Sequence, residues 1–579
     1  MTRPLTPANK ILGRLNWTWQ DGSLILLIVA FAAAIIRTAA KFSGTFEPNL
    51  IISTNISALP GYTAQTLVRM GIAYFLSLVF TLIYAYTAYR SRLAARILIP
   101  LLDILQSIPV LSFLPGVVLA LIALFPGQRI GVEFASILLI FTGMTWNMTF
   151  SFYQSLLSIP RELLEATEIY RLNIWQRFWT LELPAGVIGL VWNSVMSVAG
   201  GWFFLIAIES FTLGNNDFRL PGLGSFLGTA ASKGDFTAIF WGLLLLIGVI
   251  VAIDYFIWRP LIAWSEKFKL EMVDSENAPQ SLVLDILRRS PTLRMFKERI
   301  FQPLQTTVDY SLVRAFPVRS LPVNSQKNLH WTSFFNWLFV SGCALIVLWG
   351  TWEAVLLLKT LGWNDWLQII KGAVFTAFRV IIALVLSLLW TVPVGVAIGR
   401  NRRLSQILQP LVQIAASVPA TALFPVLLLG LTRIAGGLQI GAIALMMLGT
   451  MWYILFNVIA GAQSIPSDLI EAASVYKLSL RQRWQTLILP AIFPYLITGI
   501  ITAVGGAWNA SIVSEYVTFQ GRVISTSGLG STISHATASG NFSLLLAATM
   551  VMSLLVVMTN RLVWRPLYQL AQEKYQLLI

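Results

Sequence analysis

The sequence predicts an all-α polytopic membrane protein: two homologous six-span halves, about twelve transmembrane helices, related by a pseudo-two-fold axis. Three observations predict it. The first is composition, because 56% of the 579 residues are hydrophobic and only 11% are charged, with a mean hydropathy of +0.74. A water-soluble domain carries about 25% charged residues, so lipid must solvate much of this chain. The second is a series of apolar runs of the roughly 20 residues that a helix needs to cross a hydrocarbon core. The third is an internal repeat.

The first set of runs falls near 22–40, 66–88, 97–125, 132–153, 185–208 and 237–258. The second falls near 334–358, 374–398, 407–430, 437–459, 491–513 and 543–564. The third run of each set is long and proline-rich, which predicts a broken or tilted helix. Most Lys and Arg residues lie in 1–21, 89–96, 154–184, 259–333, 399–406, 460–490 and 565–579. The positive-inside rule therefore puts these segments and both termini in the cytoplasm. The polar stretch 1–20 has no apolar core with a cleavage site, so the first span is expected to act as an uncleaved insertion signal.

Residues 143–264 align with 449–570 at a constant offset of 306, and 37 of these 122 positions are identical. Upstream the offset is 310, where Arg69 meets Arg379 and Pro109 meets Pro419. Six spans per repeat insert both halves in the same orientation, so a pathway between the halves is expected. The resulting division is 1–258, 259–333 and 334–579: a first half, a basic cytoplasmic linker and a second half. The linker carries Arg288-Arg289, Arg294, Lys297 and Arg299 among spaced apolar residues. It reads either as a tether or as an amphipathic helix on anionic membrane lipid.

One cysteine, Cys343, and two distant histidines, His330 and His535, leave no disulfide framework and no metal-ligand spacing. The net charge of +15 sits in loops between apolar runs, which argues against nucleic-acid binding. No phosphate-binding Gly-x-x-x-x-Gly-Lys loop, nucleophile elbow or metalloprotease motif occurs, so no enzyme is expected.

Between the fourth and fifth spans each half has a loop of the same length, Ile159–Ala185 and Ile465–Ala491. Each starts with Ile-Pro, suited to the first turn of a helix. Acidic residues follow, Glu162 and Glu165 in one and Asp468 and Glu471 in the other, suited to a helix N-terminus. Each keeps an Ala after its second acid (Ala166, Ala472), a Tyr five residues on (Tyr170, Tyr476), and a Leu-x-Leu-Pro-Ala ending around Pro184 and Pro490.

This pattern resembles the EAA loop of ABC-transporter permeases of the binding-protein-dependent, type I importer family. That loop reads Glu-Ala-Ala, three residues, Gly, nine residues, Ile-x-Leu-Pro. The family's Gly position is Arg171 here in one copy and Lys477 in the other, a departure at the turn between two short helices. The resemblance implies that the loops couple the spans to two separate cytoplasmic ABC ATPases, which bind the ATP and Mg, with no cofactor in this chain. Glu162, Glu165, Ala166, Tyr170, Arg171 and Pro184 would form one coupling site. Asp468, Glu471, Ala472, Tyr476, Lys477 and Pro490 would form the other. It further implies a bacterial plasma (inner) membrane location and an extracytoplasmic substrate-binding protein as partner.

Ser107-Ile108-Pro109, Ser417-Val418-Pro419, the Trp-to-Glu spacing of Trp202/Glu209 and Trp508/Glu515, and the Gly-Leu-Gly segments are similar to those of nitrate, taurine and bicarbonate permeases. A small anion is the substrate class this implies. Because fusion is more typical of ferric and thiamine permeases, a fused permease for ferric ion or another small solute stays open. So does a major-facilitator-type secondary transporter, on the strength of Gly399-Arg400-Asn401-Arg402-Arg403. Candidate pathway residues are Ser107, Asn193, Trp202, Ser417, Trp508 and Asn509. Arg69 and Arg379 lie one helical turn after Thr66 and Thr376. A charge at such depth must pair, snorkel or line a wet cavity. The two arginines read either as partners of Glu209 and Glu515 or as a positive outer vestibule for an anion.

Overall fold

The computed structural model describes residues 51–268, 281–289 and 352–575, except 108, 127, 214–215, 432–436 and 520–521, plus a few isolated positions between 298 and 341. The expected span at 22–40, most of that at 334–358, and most of the linker lie outside the described residues.

The first half runs through α1 (Leu59–Arg90), α2 (Arg92–Ser107), α3 (Val110–Leu124), α4 (Ile130–Leu157), α5 (Arg161–Ile169), α6 (Ile174–Arg177) and α7 (Leu183–Glu209). A short hairpin, β1 (Thr212–Leu213) and β2 (Asn216–Asp217), leads to α8 (Leu223–Lys233), α9 (Phe236–Ile253), α10 (Arg259–Ser265) and the linker helix α11 (Leu282–Arg289). The second half repeats this order with α12 (Trp363–Arg400), α13 (Arg402–Ser417), α14 (Ala420–Leu431), α15 (Gly437–Gln463), α16 (Ser467–Val475), α17 (Leu480–Arg483) and α18 (Leu489–Ser514). Then come β3 (Tyr516–Phe519), β4 (Arg522–Ser525), α19 (Leu529–Ser539), α20 (Phe542–Thr559) and α21 (Arg565–Tyr575).

Among the described residues eight helical stretches are long and apolar enough to cross a membrane. They coincide with the second, fourth, fifth and sixth expected spans of each half. The third spans are broken, as their prolines predict. Pro109 caps α3 in an extended conformation, and Val418, also extended, ends α13 just before Pro419. Proline lacks an N–H and disfavours helical geometry in the residue before it. The chain is predominantly helical, as expected, with two short hairpins added to the helices. Both fifth spans are followed by an antiparallel hairpin, with Thr212 paired to Asp217 and Tyr516 to Ser525.

The described chain forms two compact units. The smaller holds the loop 158–191 and the segment from 253 into the linker. In it Arg259 Nε pairs with Asp254 Oδ2 at 3.0 Å, and Lys267 lies 4.4 Å over the Trp264 ring.

The larger unit contains the rest of both halves. Its helices pack through small and hydroxyl-bearing residues, as expected where lipid removes any hydrophobic drive between helices. On α1 the buried stripe is Ala73, Ser77, Thr81 and Ala85, spaced by one turn on one face. Thr81 Oγ1 meets Thr149 Oγ1 of α4 at 3.0 Å. In the second half Ser387 Oγ of α12 meets Thr450 Oγ1 of α15 at 2.9 Å. Large apolar residues such as Phe75, Ile83, Phe378 and Leu389 point outward. The halves also touch: Thr549 Oγ1 of α20 donates to the Ser112 carbonyl of α3 at 3.2 Å. Phe203 of α7 packs on the cluster of Ala420, Phe424 and Leu445.

Candidate functional site: paired loops, buried clamps and two cavities

Each loop is a helix, a tight turn and a second helix. In the first, α5 ends where the Leu172 N–H donates to the Thr167 carbonyl and the Arg171 N–H to the Glu168 carbonyl, both at 3.0 Å. In the second, Leu478 donates to Ala473 at 3.1 Å and Lys477 to Ser474 at 3.0 Å. These nested bonds are a Schellman C-cap, which needs a left-handed residue just past the helix. Arg171 and Lys477 supply it, with φ of 50° and 49°, and among the described residues they are the two non-glycine positions with a left-handed backbone. The turn that glycine makes in related loops is therefore kept without glycine. The left-handed conformation costs a residue with a Cβ about 1–2 kcal/mol. A cation at a helix C-terminus offsets part of that.

The next helix of each loop opens with a capping box. Asn173 and Gln176 exchange side-chain and backbone bonds at 2.7 and 3.0 Å. Ser479 and Gln482 do the same at 3.4 and 2.9 Å. A π-helical turn follows, Phe178–Glu182 in one loop and Trp484–Ile488 in the other, before the long helix begins. The loops present similar surfaces. Glu162, Glu165 and Arg171 are exposed in the first, as are Asp468, Glu471 and Lys477 in the second. Beside them stand Ile169 and Tyr170, 79% and 77% exposed, and Val475 and Tyr476, 75% and 79% exposed. Ala166, Pro184, Ala472 and Pro490 are half-buried beneath.

Arg69 and Arg379 do not face an outer vestibule. Arg69 is fully buried. Its Nε and Nη2 grip Glu133 at 2.6 and 2.8 Å, and its Nη1 reaches Glu209 at 2.7 Å and the Pro221 carbonyl at 2.8 Å. Arg379, 7% exposed, donates to Glu515, the Ser527 carbonyl and Thr526 Oγ1, each at 2.8 Å. The vestibule expectation is thus corrected: a guanidinium out of water needs partners for its charge and its N–H groups, and these two have them.

Thr66 Oγ1 donates to Glu209 at 2.9 Å and accepts from the Leu223 N–H at 2.9 Å. Thr376 does the same with Glu515 and Leu529, each at 2.8 Å. The Gly-Leu-Gly-Ser segment completes the clamp. The Gly224 N–H donates to Glu209 at 2.7 Å and the Ser531 N–H to Glu515 at 3.2 Å, so each carboxylate also sits at a helix N-terminus, where negative charge is favoured. A Cβ on Gly222 or Gly528 would collide with the carboxylate of Glu209 or Glu515.

Two cavities lie in the larger unit. The smaller, about 110 Å³, is mostly apolar and borders the break between α13 and α14. Of the six candidate pathway residues, Asn509 lines it, and Ala416 and Val418 on either side of Ser417 do too. Asn509 Oδ1 is buried without a hydrogen-bond partner, as is Trp508 Nε1. Trp202 and Trp508 are buried core residues. Asn193 donates to Ser151 Oγ at 2.8 Å, and Ser417 Oγ donates to the Gln413 carbonyl at 2.8 Å. The side chain of Ser107 lies outside the described residues. The larger cavity, about 450 Å³, contains none of these six and is lined in part by Arg219.

Sequence reasoning missed Glu133, Thr526 and Arg219. Glu133 was visible as a carboxylate at the start of an apolar span, a position where charge demands a partner. Thr526 and Arg219 sit in unremarkable polar stretches, and only the fold brings them to the clamp and the cavity.

The helices and paired loops define a duplicated, multi-pass membrane protein. Residues 77–261 and 391–563, more than half of the chain, match the family described as binding-protein-dependent transport system inner membrane component, and the chain belongs to that family. Over 185 residues it is 31% identical to the nitrate import permease protein NrtB of Leptolyngbya laminosa, covering 32% of this chain and 63% of that one. It is 32% identical over 126 residues to the bicarbonate transport system permease protein CmpB of Synechococcus elongatus, covering 22% and 44%. It is 27% identical over 152 residues to the taurine transport system permease protein TauC of Escherichia coli, covering 26% and 52%. The chain thus spans less than two thirds of the length of each of these relatives.

Proposed function

We propose that this chain forms the translocation pathway of an ATP-driven ABC importer and couples it to two separate ATPase subunits through its paired loops. In this reading residues 1–258 and 334–579 are two fused permease halves, and 259–333 is the cytoplasmic linker between them. The chain crosses the bacterial inner membrane about twelve times with both termini in the cytoplasm. One copy supplies the whole pathway, because the linker keeps each half at high effective concentration near the other. An extracytoplasmic binding protein delivers a small anion of the nitrate, sulfonate or bicarbonate kind. ATP and Mg are held by the partner subunits.

The observation that carries this reading is the recurrence of one loop geometry at the same place in both halves. Each loop pairs a rigid helix–turn–helix with an exposed acid and an exposed apolar–tyrosine pair, the chemistry of a docking surface with a small apolar centre and a charged rim. Glu165→Lys and Glu471→Lys replace an attractive contact by a repulsive one. Together they are expected to abolish co-purification with the ATPases and stimulation of ATP hydrolysis, while the chain still inserts and folds. Undiminished coupling in the double variant would refute this role for the loops.

A further inference from the structure

Each half has a basic turn between a long apolar helix and a short amphipathic one. Arg90 ends α1 and Arg92 begins α2; Arg400 ends α12 and Arg402 begins α13. Ser91 and Asn401 join the helices in an extended conformation. Asn401 Oδ1 accepts from the Arg403 and Leu404 N–H groups at 3.0 and 3.2 Å, which caps α13. The inner faces of the short helices are anchored. Tyr84 Oη donates to the Leu98 carbonyl at 2.6 Å, and Gln463 Nε2 donates to Ser405 Oγ at 2.9 Å. Leu408 and Val412 pack against Ile398, Leu455 and Ile459.

The outer faces set charge beside apolar surface. Arg90, Arg92, Arg96, Arg400 and Arg403 are exposed. Among the described residues none of these five pairs with a carboxylate. Arg90 lies 5.5 Å over the Tyr86 ring, a contact of charge on a ring face that asks for no carboxylate. The sequence holds no acidic residue between Glu47 and Asp103 or between Asp365 and Asp468. Ile97 and Leu101 on α2 are exposed, as are Leu404, Ile407 and Leu411 on α13. Spacings of three or four keep each apolar row on one helix face. The repeat preserves the arrangement, with Arg90, Arg92, Ile97 and Leu101 matching Arg400, Arg402, Ile407 and Leu411.

The positive-inside rule accounts for basic residues at such turns. It does not account for the amphipathic helices that follow, neither of which is among those long and apolar enough to cross a membrane. A helix with an apolar row beside cations suits the bilayer interface. There a guanidinium meets phosphate oxygens, which match its planar donors, and an anionic leaflet attracts it further.

We propose that each basic turn binds one anionic phospholipid headgroup of the cytoplasmic leaflet, with the apolar row of the short helix against its acyl chains. The choice of leaflet rests on the permease reading; the choice of an anionic headgroup does not.

The test uses the full chain purified with phosphatidylglycerol and phosphatidylethanolamine supplied together, and native mass spectrometry counts the lipids retained. Two phosphatidylglycerol molecules per chain are expected in preference to phosphatidylethanolamine. Arg90→Gln/Arg92→Gln/Arg96→Gln should lose one and Arg400→Gln/Arg402→Gln/Arg403→Gln the other, each through a weakening of about tenfold or more. Should these variants fail to insert, Ile97→Glu with Ile407→Glu, which keeps every arginine and sets a negative charge nearby, should weaken retention to a similar extent. Equal retention of the two lipids, an unchanged count in folded variants, or displacement by inorganic phosphate at matched ionic strength overturns the proposal. So does loss of ATPase co-purification by variants whose lipid count is unchanged, which would give the turns to the ATPases. The count is read on the chain without ATPases, so its failure leaves the permease reading standing. Absence of ATPase stimulation by the unmodified chain sinks that reading and leaves the lipid count intact.

Discussion

The two halves hold the same buried arginine in different company. In the first, Arg69 is shared between Glu133 and Glu209, and Arg129 approaches Glu133 at 3.7 Å. In the second, Arg379 has Glu515 and the Thr526 hydroxyl. At the offset of 306, which also aligns α4 with α15, the repeat positions of Glu133 and Arg129 are Gln439 and Ala435, and Gln439 is exposed. Both clusters are electrically balanced, two against two and one against one. The second carboxylate of the first half is matched by a second arginine, as the cost of an unpaired charge away from water requires. Fusion lets the halves diverge, and the divergence preserves neutrality in each cluster.

The loops differ in the same spirit. Arg177 pairs with the buried Glu182 at 2.8 Å, whereas the equivalent Arg483 donates to the Leu478 carbonyl at 3.1 Å, and Ile488 stands in place of Glu182. The backbone turn survives these changes because it depends on one left-handed residue and a capping box.

The largest effect that would sharpen this comparison is expected from Arg69→Met. It removes two charged contacts at once, leaving Glu209 without a counter-charge and Glu133 with only Arg129 at 3.7 Å, and removing one member of a buried ion pair costs about 3–5 kcal/mol. Arg379→Met removes one such contact. Fluorescence-detected size-exclusion chromatography after heating should show Arg69→Met largely lost and Arg379→Met folded with a lower midpoint; equal losses would break the distinction between the clusters.

Gly222→Ala and Gly528→Ala come next, at about 1–3 kcal/mol each for overpacking. Here the halves should respond alike, since both glycines abut the same carboxylate. A thermal midpoint lowered in only one variant would show that the clamps are not equivalent.

Glu133→Gln copies the chemistry of the second half into the first and leaves Arg129 without its carboxylate. Loss of a charged hydrogen bond is worth about 1.5–3 kcal/mol. Adding Arg129→Ala should recover part of the midpoint, a non-additivity expected for groups in one network. Strict additivity would mean that Arg129 is no part of the cluster.

The smallest effect belongs to the loops. Arg171→Gly and Lys477→Gly relieve the left-handed strain at the expense of a cation near the helix end, a net gain of about 1 kcal/mol or less. Slower hydrogen exchange at the amides of Leu172 and Leu478 would register it. Faster exchange would mean that the cation outweighs the backbone strain.

Much of this was legible in the sequence. The long apolar runs and the repeat defined the spans, because a helix in lipid must satisfy its own backbone and show apolar side chains outward. The prolines at 109 and 419 marked the breaks. The pairing of Arg69 with Glu209 and of Arg379 with Glu515 was one of two readings, and the sequence offered no way to choose. The turn at Arg171 and Lys477 looked compromised without glycine, since the sequence does not reveal that the surrounding caps hold a charged residue left-handed.

The sequence by itself determined the membrane class, the duplication, the loop positions and the need for each buried charge to find a partner. These follow from local periodicity and from the high cost of polar groups in lipid, which act on every such chain alike. Only the tertiary structure decided which partner each charge found. It brought Glu133 beside Arg69 across 64 residues and Thr526 beside Arg379 across 147. It also turned Arg219 toward a cavity built by both halves. Contacts between distant segments are set by how helices pack, and packing depends on the shapes of all the faces at once.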